Sequence, residues 1–158
     1  MTVQELKSAF EAAYGKSAEA VYFSPGRVNL IGEHTDYNGG SVFPCALSFG
    51  TYLLLAKNDK NAMNFKSLNQ PEIITLGFDQ LTTPLDKSWV NYPLGVIAQF
   101  IKRGIAITQG YDILIWGNVP NGAGLSSSAA LEVVTAYAFN DQLGTGFNRT
   151  ELAQIGQK

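Results

Sequence analysis

The chain has 158 residues, of which 46% are hydrophobic and 15% charged, and its formal net charge is −2. This length and composition are typical of one folded domain, and a slightly acidic chain without a basic run is not expected to bind nucleic acid or a membrane surface. The N-terminal segment mixes charged with apolar residues and no stretch approaches about 18 apolar residues, so neither a leader nor a membrane span is predicted. The expected location is cytoplasmic.

The first elements are a helix and two strands. Thr2 and Glu5 have the spacing of a capping box, and Gly15 is placed to end the helix. Apolar, β-branched and aromatic residues at positions 18–30 predict two short strands, divided by the Ser-Pro-Gly sequence at positions 24–26.

A long apolar segment then predicts a strand over residues 41–57 that passes through the core of a sheet. Cys45 lies in this segment, so burial as a small hydrophobic residue is the main expectation and a reactive thiol is the alternative. Further strands are predicted at residues 63–67 and 72–76.

The second half of the chain alternates helices and strands. Trp89, Tyr92, Val96, Phe100 and Ile101 recur at helical spacing, and Gly104 is placed to end that helix. The remaining predicted elements are a strand at 111–116, a Gly- and Ser-rich loop at 117–128, an apolar helix at 129–143 and a final helix that starts after residue 148 or 149.

The loop between strand and helix contains the sequence PNGAGLSSSAA at residues 120–130. Glycines allow a backbone to approach a ligand closely, and the free amide groups and positive dipole end of a helix N-terminus favour an anion such as a polyphosphate. Ordinary turn formation and helix capping remain the alternative. The loop lacks the lysine of a Walker A motif and the third glycine of a Rossmann motif, so it matches neither of these two nucleotide-binding motifs.

The same sequence resembles the central motif of the GHMP kinases. The resemblance implies that the loop, counted as residues 118–130, binds ATP. The backbone amides of Gly122, Ala123, Gly124, Leu125, Ser126 and Ser127 would surround the phosphates. The hydroxyl of Ser128 would bind Mg²⁺, so ATP and Mg²⁺ are the implied cofactors.

A second polar segment, GRVNLIGEHTDYNGG at residues 26–40, contains an arginine, two carboxylates and the only histidine of the chain. Carboxylates and imidazole can hydrogen-bond neighbouring hydroxyl groups of a carbohydrate. The alternative interpretation is that the segment binds no ligand and forms an ordinary surface turn. A zinc site at Glu33, His34 and Asp36 is disfavoured, because there is no second histidine and no helical pair of ligands.

This segment is similar to the signature of the galactokinase family. The resemblance implies that Glu33, His34 and Asp36 bind the hydroxyls of galactose, and that Arg27 lies beside the anomeric hydroxyl and stabilises the transition state. Trp89 matches the family position that contacts adenine, although a core position is an equal alternative.

The resemblance also implies the fold and the activity. The implied fold class is α+β. The implied domain is the GHMP kinase N-terminal domain, which is related to the second domain of ribosomal protein S5 and has a mixed sheet with helices on one side. It would extend over residues 1–158. The activity is ATP-dependent phosphorylation of galactose at C1 to galactose 1-phosphate, in the Leloir pathway. Galactose and ATP are therefore the implied binding partners.

Some parts of the family pattern are not found in these 158 residues. The catalytic aspartate and the C-terminal domain are expected beyond Lys158, so these residues alone are expected to be inactive and to self-associate through the face that the C-terminal domain covers. Three alternatives remain open: a related kinase acting on N-acetylgalactosamine or arabinose, a non-catalytic sensor of galactose and ATP, and a purely structural domain.

Overall fold

A computed structural model describes residues 1–32, 38–119 and 125–156. In chain order the elements are α1 (Val3–Tyr14), β1 (Ala20–Ile31), β2 (Phe43–Asn58), β3 (Ala62–Ser67), β4 (Ile73–Gly77), a short 3-10 helix (Phe78–Gln80), α2 (Asn91–Lys102), β5 (Gly110–Gly117), α3 (Ser127–Leu143) and α4 (Arg149–Gly156).

The described strands form one five-stranded sheet in the order β1-β2-β5-β3-β4. Three neighbouring pairs are antiparallel, and β3 runs parallel to β5. The connection between β3 and β5 contains β4 and α2, since two parallel strands need a long crossover. The mixed sheet and the α+β class are confirmed.

The sheet is covered on both faces. Alternate residues of a strand point to opposite faces, so Leu53 and Leu55 of β2 join the larger core with α2, α3 and α4, while Leu54 packs against Leu6 and Phe10 of α1 on the other face. The prediction of helices on one side is therefore correct for three helices and wrong for α1. Its two buried residues lie four positions apart, on one side of the helix.

Helix α1 has the predicted ends. The side chain of Thr2 accepts a hydrogen bond from the Glu5 amide, and the Glu5 carboxylate accepts one from the Thr2 amide. Gly15 ends the helix in the left-handed conformation with φ of 70°, which glycine adopts without steric cost.

The N-terminal strands differ from the prediction. Residues 20–31 form one continuous strand with an irregularity at Gly26, because pairing with β2 resumes on the far side of the Ser-Pro-Gly sequence.

Cys45 is exposed, as are most of residues 41–49, so the prediction that this segment passes through the core is wrong for its first half. Here β2 pairs with β1 alone; its pairing with β5 starts at Thr51.

A buried polar cluster lies where β2, β3 and β5 meet. The side chain of Asp112 is 5% exposed, and its carboxylate lies 2.7 Å from Lys16 Nζ. The carboxylate accepts hydrogen bonds from Asn58 Nδ2 at 3.0 Å and Asn64 Nδ2 at 2.5 Å. Burial acts to raise the pKa of Asp112, but the hydrogen bonds from Asn64, Lys16 and Asn58 outweigh it and hold the pKa below its ordinary value. The ion pair between Asp112 and Lys16, which follows α1, holds the C-terminal end of this helix against the sheet.

Within the described ranges, none of the helices combines the length and the apolar character needed to span a bilayer.

Candidate functional site

The two polar segments of the sequence meet in the structure. The backbone N–H of Arg27, on β1, donates a hydrogen bond to the carbonyl of Leu125 at 3.3 Å. These residues are almost 100 positions apart in the chain, and β1 and β5 are separated in the sheet by β2. The contact therefore joins the segment around residue 27 to the end of the loop that precedes α3.

Gly26 makes this approach possible. A Cβ atom at this position would lie 2.9 Å from the Leu125 carbonyl oxygen and 3.4 Å from Val119 Cγ2. The first distance is shorter than van der Waals contact permits, so a side chain here would push β1 away from the loop. One of the two changes in the register of β1 against β2 also lies at Gly26.

Helix α3 starts without a side-chain cap. Ser126 precedes the helix in the left-handed conformation, with φ of 58° and ψ of 41°, and its side chain makes no capping hydrogen bond. A non-glycine residue in this conformation costs about 1–2 kcal/mol. The helix N-terminus at Ser127 and Ser128 thus presents amide N–H groups and a positive dipole end without a capping side chain.

A cavity of about 190 Å³ lies beside this helix end. Ser127 and Ser128 line it on α3, and the aromatic lining comes from Trp89, which precedes α2, and Tyr92 in its first turn. Further polar lining residues are Thr51 of β2, Ser67 of β3, and Asn69 and Gln70, which follow β3. The cavity thus combines a helix N-terminus, a position that favours anions, with aromatic surface, and both features are suited to a nucleotide.

Two family models match the chain. The model described as "Galactokinase galactose-binding signature" matches residues 8–57, and the model described as "GHMP kinases N terminal domain" matches residues 91–158. The first range contains Arg27, and the second contains Ser127 and Ser128.

Curated relatives agree with the two models. A galactokinase of Clostridium beijerinckii is 46% identical over 161 residues, which is 99% of this chain and 41% of the relative. A galactokinase of Lactiplantibacillus plantarum is 43% identical and covers 100% of this chain, again 41% of the relative. The chain belongs to the galactokinase family. It spans about two fifths of the length of the relatives that it matches.

Solved structures place this galactokinase-family chain within the GHMP fold. The Lactococcus lactis galactokinase complexed with galactose matches with a TM-score of 0.93 and 37% identity, over 100% of this chain and 42% of that structure. A mevalonate kinase of Methanococcus jannaschii matches with a TM-score of 0.79 at 19% identity, over 87% of this chain and 44% of that structure, and this second match shows the fold alone. The predicted GHMP kinase N-terminal fold is confirmed.

Several predicted site residues lie outside the described residues. These are Glu33, His34 and Asp36 of the galactose signature and Gly122, Ala123 and Gly124 of the loop. Among the residues that the structure does describe, Arg27 and Leu125 form the contact between the two segments, and Ser126 precedes α3. Ser127 and Ser128 line the cavity together with Trp89. The described part of this galactokinase-family chain contains no cluster of three His, Cys, Asp or Glu side chains suited to a metal ion.

Trp89 packs against the core and also lines the cavity. It lies before α2 rather than on its apolar face, because the helix begins only at Asn91, so the predicted start of this helix is wrong. The indole is half-buried against the larger core and also lines the cavity. Trp116 packs against Tyr52 at a ring-centroid distance of 5.9 Å, among residues of the smaller core.

Sequence reasoning missed the asparagines that hold the loop. Asn118 Oδ1 accepts a hydrogen bond from the Gly50 amide at 2.8 Å, and Asn69 bonds both backbone groups of Gly117. In the sequence, the only available signal was the position of each asparagine two residues after the end of a predicted strand, where an asparagine is common in any turn.

Proposed function

We propose that this chain forms the sugar- and nucleotide-binding part of an ATP-dependent galactokinase, which phosphorylates galactose at the C1 hydroxyl in galactose metabolism. The observation that carries the proposal is the hydrogen bond between Arg27 and Leu125, because it brings the sugar segment to the loop that is proposed to hold the phosphates. A kinase needs its acceptor and its γ-phosphate adjacent, since phosphoryl transfer depends mainly on positioning and charge stabilisation.

The nucleotide part of the proposal rests on the cavity beside α3. The backbone amides of residues 122–127 and the helix dipole would bind the phosphates, and Trp89 would contact the adenine ring. The Ser128 hydroxyl would be one ligand of Mg²⁺. A single protein hydroxyl fits such an ion, since Mg²⁺ keeps several waters and binds phosphate oxygens of the nucleotide. When bound, Mg²⁺ would neutralise charge on the β- and γ-phosphates.

The sugar part of the proposal rests on the charge and position of Arg27. Within the described ranges its guanidinium takes part in no ion pair, and its side chain is exposed beside the end of the loop. A permanently charged, planar guanidinium can stabilise the negative charge that spreads over phosphoryl oxygens during transfer. Glu33, His34 and Asp36, six to nine residues further along the chain, would bind the hydroxyls of galactose.

Residues 1–158 alone are proposed to be inactive. The relatives are more than twice as long as their matched part, and the family's catalytic aspartate is expected in the part that this chain does not span. Without the base and without a closed cleft that excludes water, bound substrates would not react at a useful rate.

The test compares this chain with a joined protein, in which residues 1–158 are followed by the C-terminal part of the Clostridium beijerinckii galactokinase. ADP release is measured with Mg·ATP and galactose, N-acetylgalactosamine, arabinose or no sugar. We expect galactose-dependent turnover only in the joined protein. Turnover by residues 1–158 alone would contradict the proposed inactivity.

Other outcomes of this experiment favour the alternatives. A preference for N-acetylgalactosamine or arabinose would indicate a related sugar kinase. Binding of galactose and Mg·ATP without turnover by the joined protein would favour a sensor of the two ligands. A joined protein that folds but binds neither ligand would overturn the proposed function.

Gly26→Ala is expected to weaken Mg·ATP binding by this chain about tenfold, because the added Cβ would lie 2.9 Å from the Leu125 carbonyl and displace the loop end. Isothermal titration calorimetry gives the dissociation constant. The matched control is Gly95→Ala, where an added Cβ has no neighbour within 4 Å. Equal affinities of both variants would mean that the contact between the two segments does not position the loop.

The paired ends of β1 and β2 carry exposed apolar side chains, and we propose that they cause self-association of this chain. Leu30, Ile31 and Phe43 are 59%, 72% and 63% exposed, and Ile31 is paired with Phe43. Adjacent apolar side chains on an exposed surface favour association.

The expected result is a dimer or larger species of the unsubstituted chain in size-exclusion chromatography with light scattering, shifted towards monomer by Phe43→Ser. Ile73→Ser serves as the control, because Ile73 is 50% exposed on β4, at the opposite edge of the sheet. A monomeric chain at all concentrations, or equal shifts in both variants, would rule out this surface.

A further inference from the structure

Asn69 clamps the last residue of β5 through both of its amide atoms. Asn69 Nδ2 donates to the Gly117 carbonyl at 3.0 Å, and Asn69 Oδ1 accepts from the Gly117 amide at 2.9 Å. The backbone hydrogen bonds between β3 and β5 end one residue before Asn69, at the bond from Leu68 N–H to the Ile115 carbonyl. The side chain of Asn69 therefore continues the ladder to the residue from which the loop departs.

Asn91 makes a second clamp of the same kind. Asn91 Nδ2 donates to the Leu85 carbonyl at 2.7 Å, and Asn91 Oδ1 accepts from the Leu85 amide at 2.8 Å. The turn closed by these two bonds contains Trp89. It also contains Lys87, whose φ of 47° is a left-handed conformation that costs free energy in a residue with a side chain.

The two clamps control different walls of the same cavity. Gly117 lines the cavity and leads into the loop, whereas Trp89 forms the aromatic wall. Each clamp satisfies one backbone N–H and one carbonyl, at the end of β5 for Asn69 and in a turn for Asn91, so its loss leaves that segment free to take other conformations.

We infer that Asn69 and Asn91 are positioning residues for nucleotide binding: Asn69 fixes the loop that takes the phosphates, and Asn91 fixes the Trp89 wall that takes the adenine. This inference rests on the proposed nucleotide binding. Each asparagine is thereby assigned to one half of the ligand. A purely structural role of either residue would affect both halves equally.

The experiment measures binding of Mg·ATP, adenosine and magnesium tripolyphosphate by the unsubstituted chain and two variants, using chemical-shift titration of ¹⁵N-labelled protein. Asn69→Ala is expected to weaken tripolyphosphate about tenfold and adenosine less than about twofold. Asn91→Ala is expected to weaken adenosine about tenfold and tripolyphosphate less than about twofold. Both variants weaken Mg·ATP.

Two further variants separate positioning from general stability. Asn148→Ala removes an asparagine that bonds the backbone amides of Thr150 and Glu151 at the start of α4, away from the cavity, and should leave all three affinities unchanged. Asn69→Gln keeps both amide groups but places them one methylene further along the side chain, so it should give an intermediate affinity for tripolyphosphate even if the alanine variant unfolds.

The outcomes distinguish this inference from the proposed function. If the unsubstituted chain binds none of the three ligands, both are overturned. If it binds them but the two alanine variants weaken adenosine and tripolyphosphate equally, or not at all, the inference is overturned and the proposed function stands.

Discussion

Asp112→Ala is expected to lower the free energy of unfolding by about 3 kcal/mol, because it removes the acceptor at the centre of a buried polar cluster. The substitution leaves the side-chain amides of Asn58 and Asn64 without their shared acceptor, and Lys16 without its counter-ion. Lys16 is 35% exposed and can turn towards water, so most of the loss comes from the two amides. Urea unfolding followed by circular dichroism measures the effect.

Two controls accompany this measurement. Glu11→Ala removes an exposed carboxylate of α1 and should change the free energy of unfolding by less than about 0.5 kcal/mol. Asp112→Asn keeps the shape of the side chain but loses its charge, and is expected to lie between the other two variants. An Asp112→Ala variant as stable as Glu11→Ala would show that the cluster contributes little to stability.

The contribution of Asp112 should also depend on pH. The pKa of this carboxyl is lowered in the folded chain, so the unfolded chain binds the proton more readily. The stabilisation is thus fully present above the ordinary carboxyl pKa of about 3.9, and it is lost as the pH falls below that value and through the folded pKa. The difference in unfolding free energy between the unsubstituted chain and Asp112→Asn should therefore decrease in acid.

Arg27→Ala is expected to lower galactose-dependent turnover of the joined protein about 10³-fold, because it removes the charge proposed to stabilise the phosphoryl group in the transition state. Arg27→Lys keeps a charge but not the planar pair of donors, so it should recover only part of the lost rate. The loss should appear in kcat more than in KM for Mg·ATP, since the proposed interaction strengthens in the transition state.

The matched control for this prediction is Arg103→Ala. Arg103 lies at the end of α2, where its guanidinium bonds Gln99, and it does not line the cavity. Its removal should leave kcat unchanged. If Arg27→Ala retained kcat within about threefold, Arg27 would have no part in the transfer step.

Most elements could be predicted from local sequence patterns. The capping box at Thr2 and the glycine at position 15 fix the ends of α1, because the groups that end a helix are its near neighbours in the chain. The prediction of two short strands within residues 18–30 failed at Ser-Pro-Gly, because a turn sequence and a bulge use the same residues, and only pairing with β2 decides between them.

Burial was harder to predict than secondary structure. Residues 42–49 have the composition of a core strand, yet most are exposed, because burial depends on which elements lie against a strand. The position of α1 on the opposite face has a similar cause. Its apolar stripe requires a partner surface, but both faces of this sheet offer one.

The sequence by itself determined the chemistry of the candidate site: a serine-rich loop that ends in a helix and a segment of arginine, carboxylates and histidine. Only the tertiary structure decided that Arg27 meets Leu125 and that Trp89 shares a cavity with Ser128. The physical reason is the distance along the chain over which each kind of interaction acts. Residue type and short spacing set hydrogen-bonding capacity and local conformation, whereas contacts between distant segments follow from strand order and from the close approach that Gly26 permits.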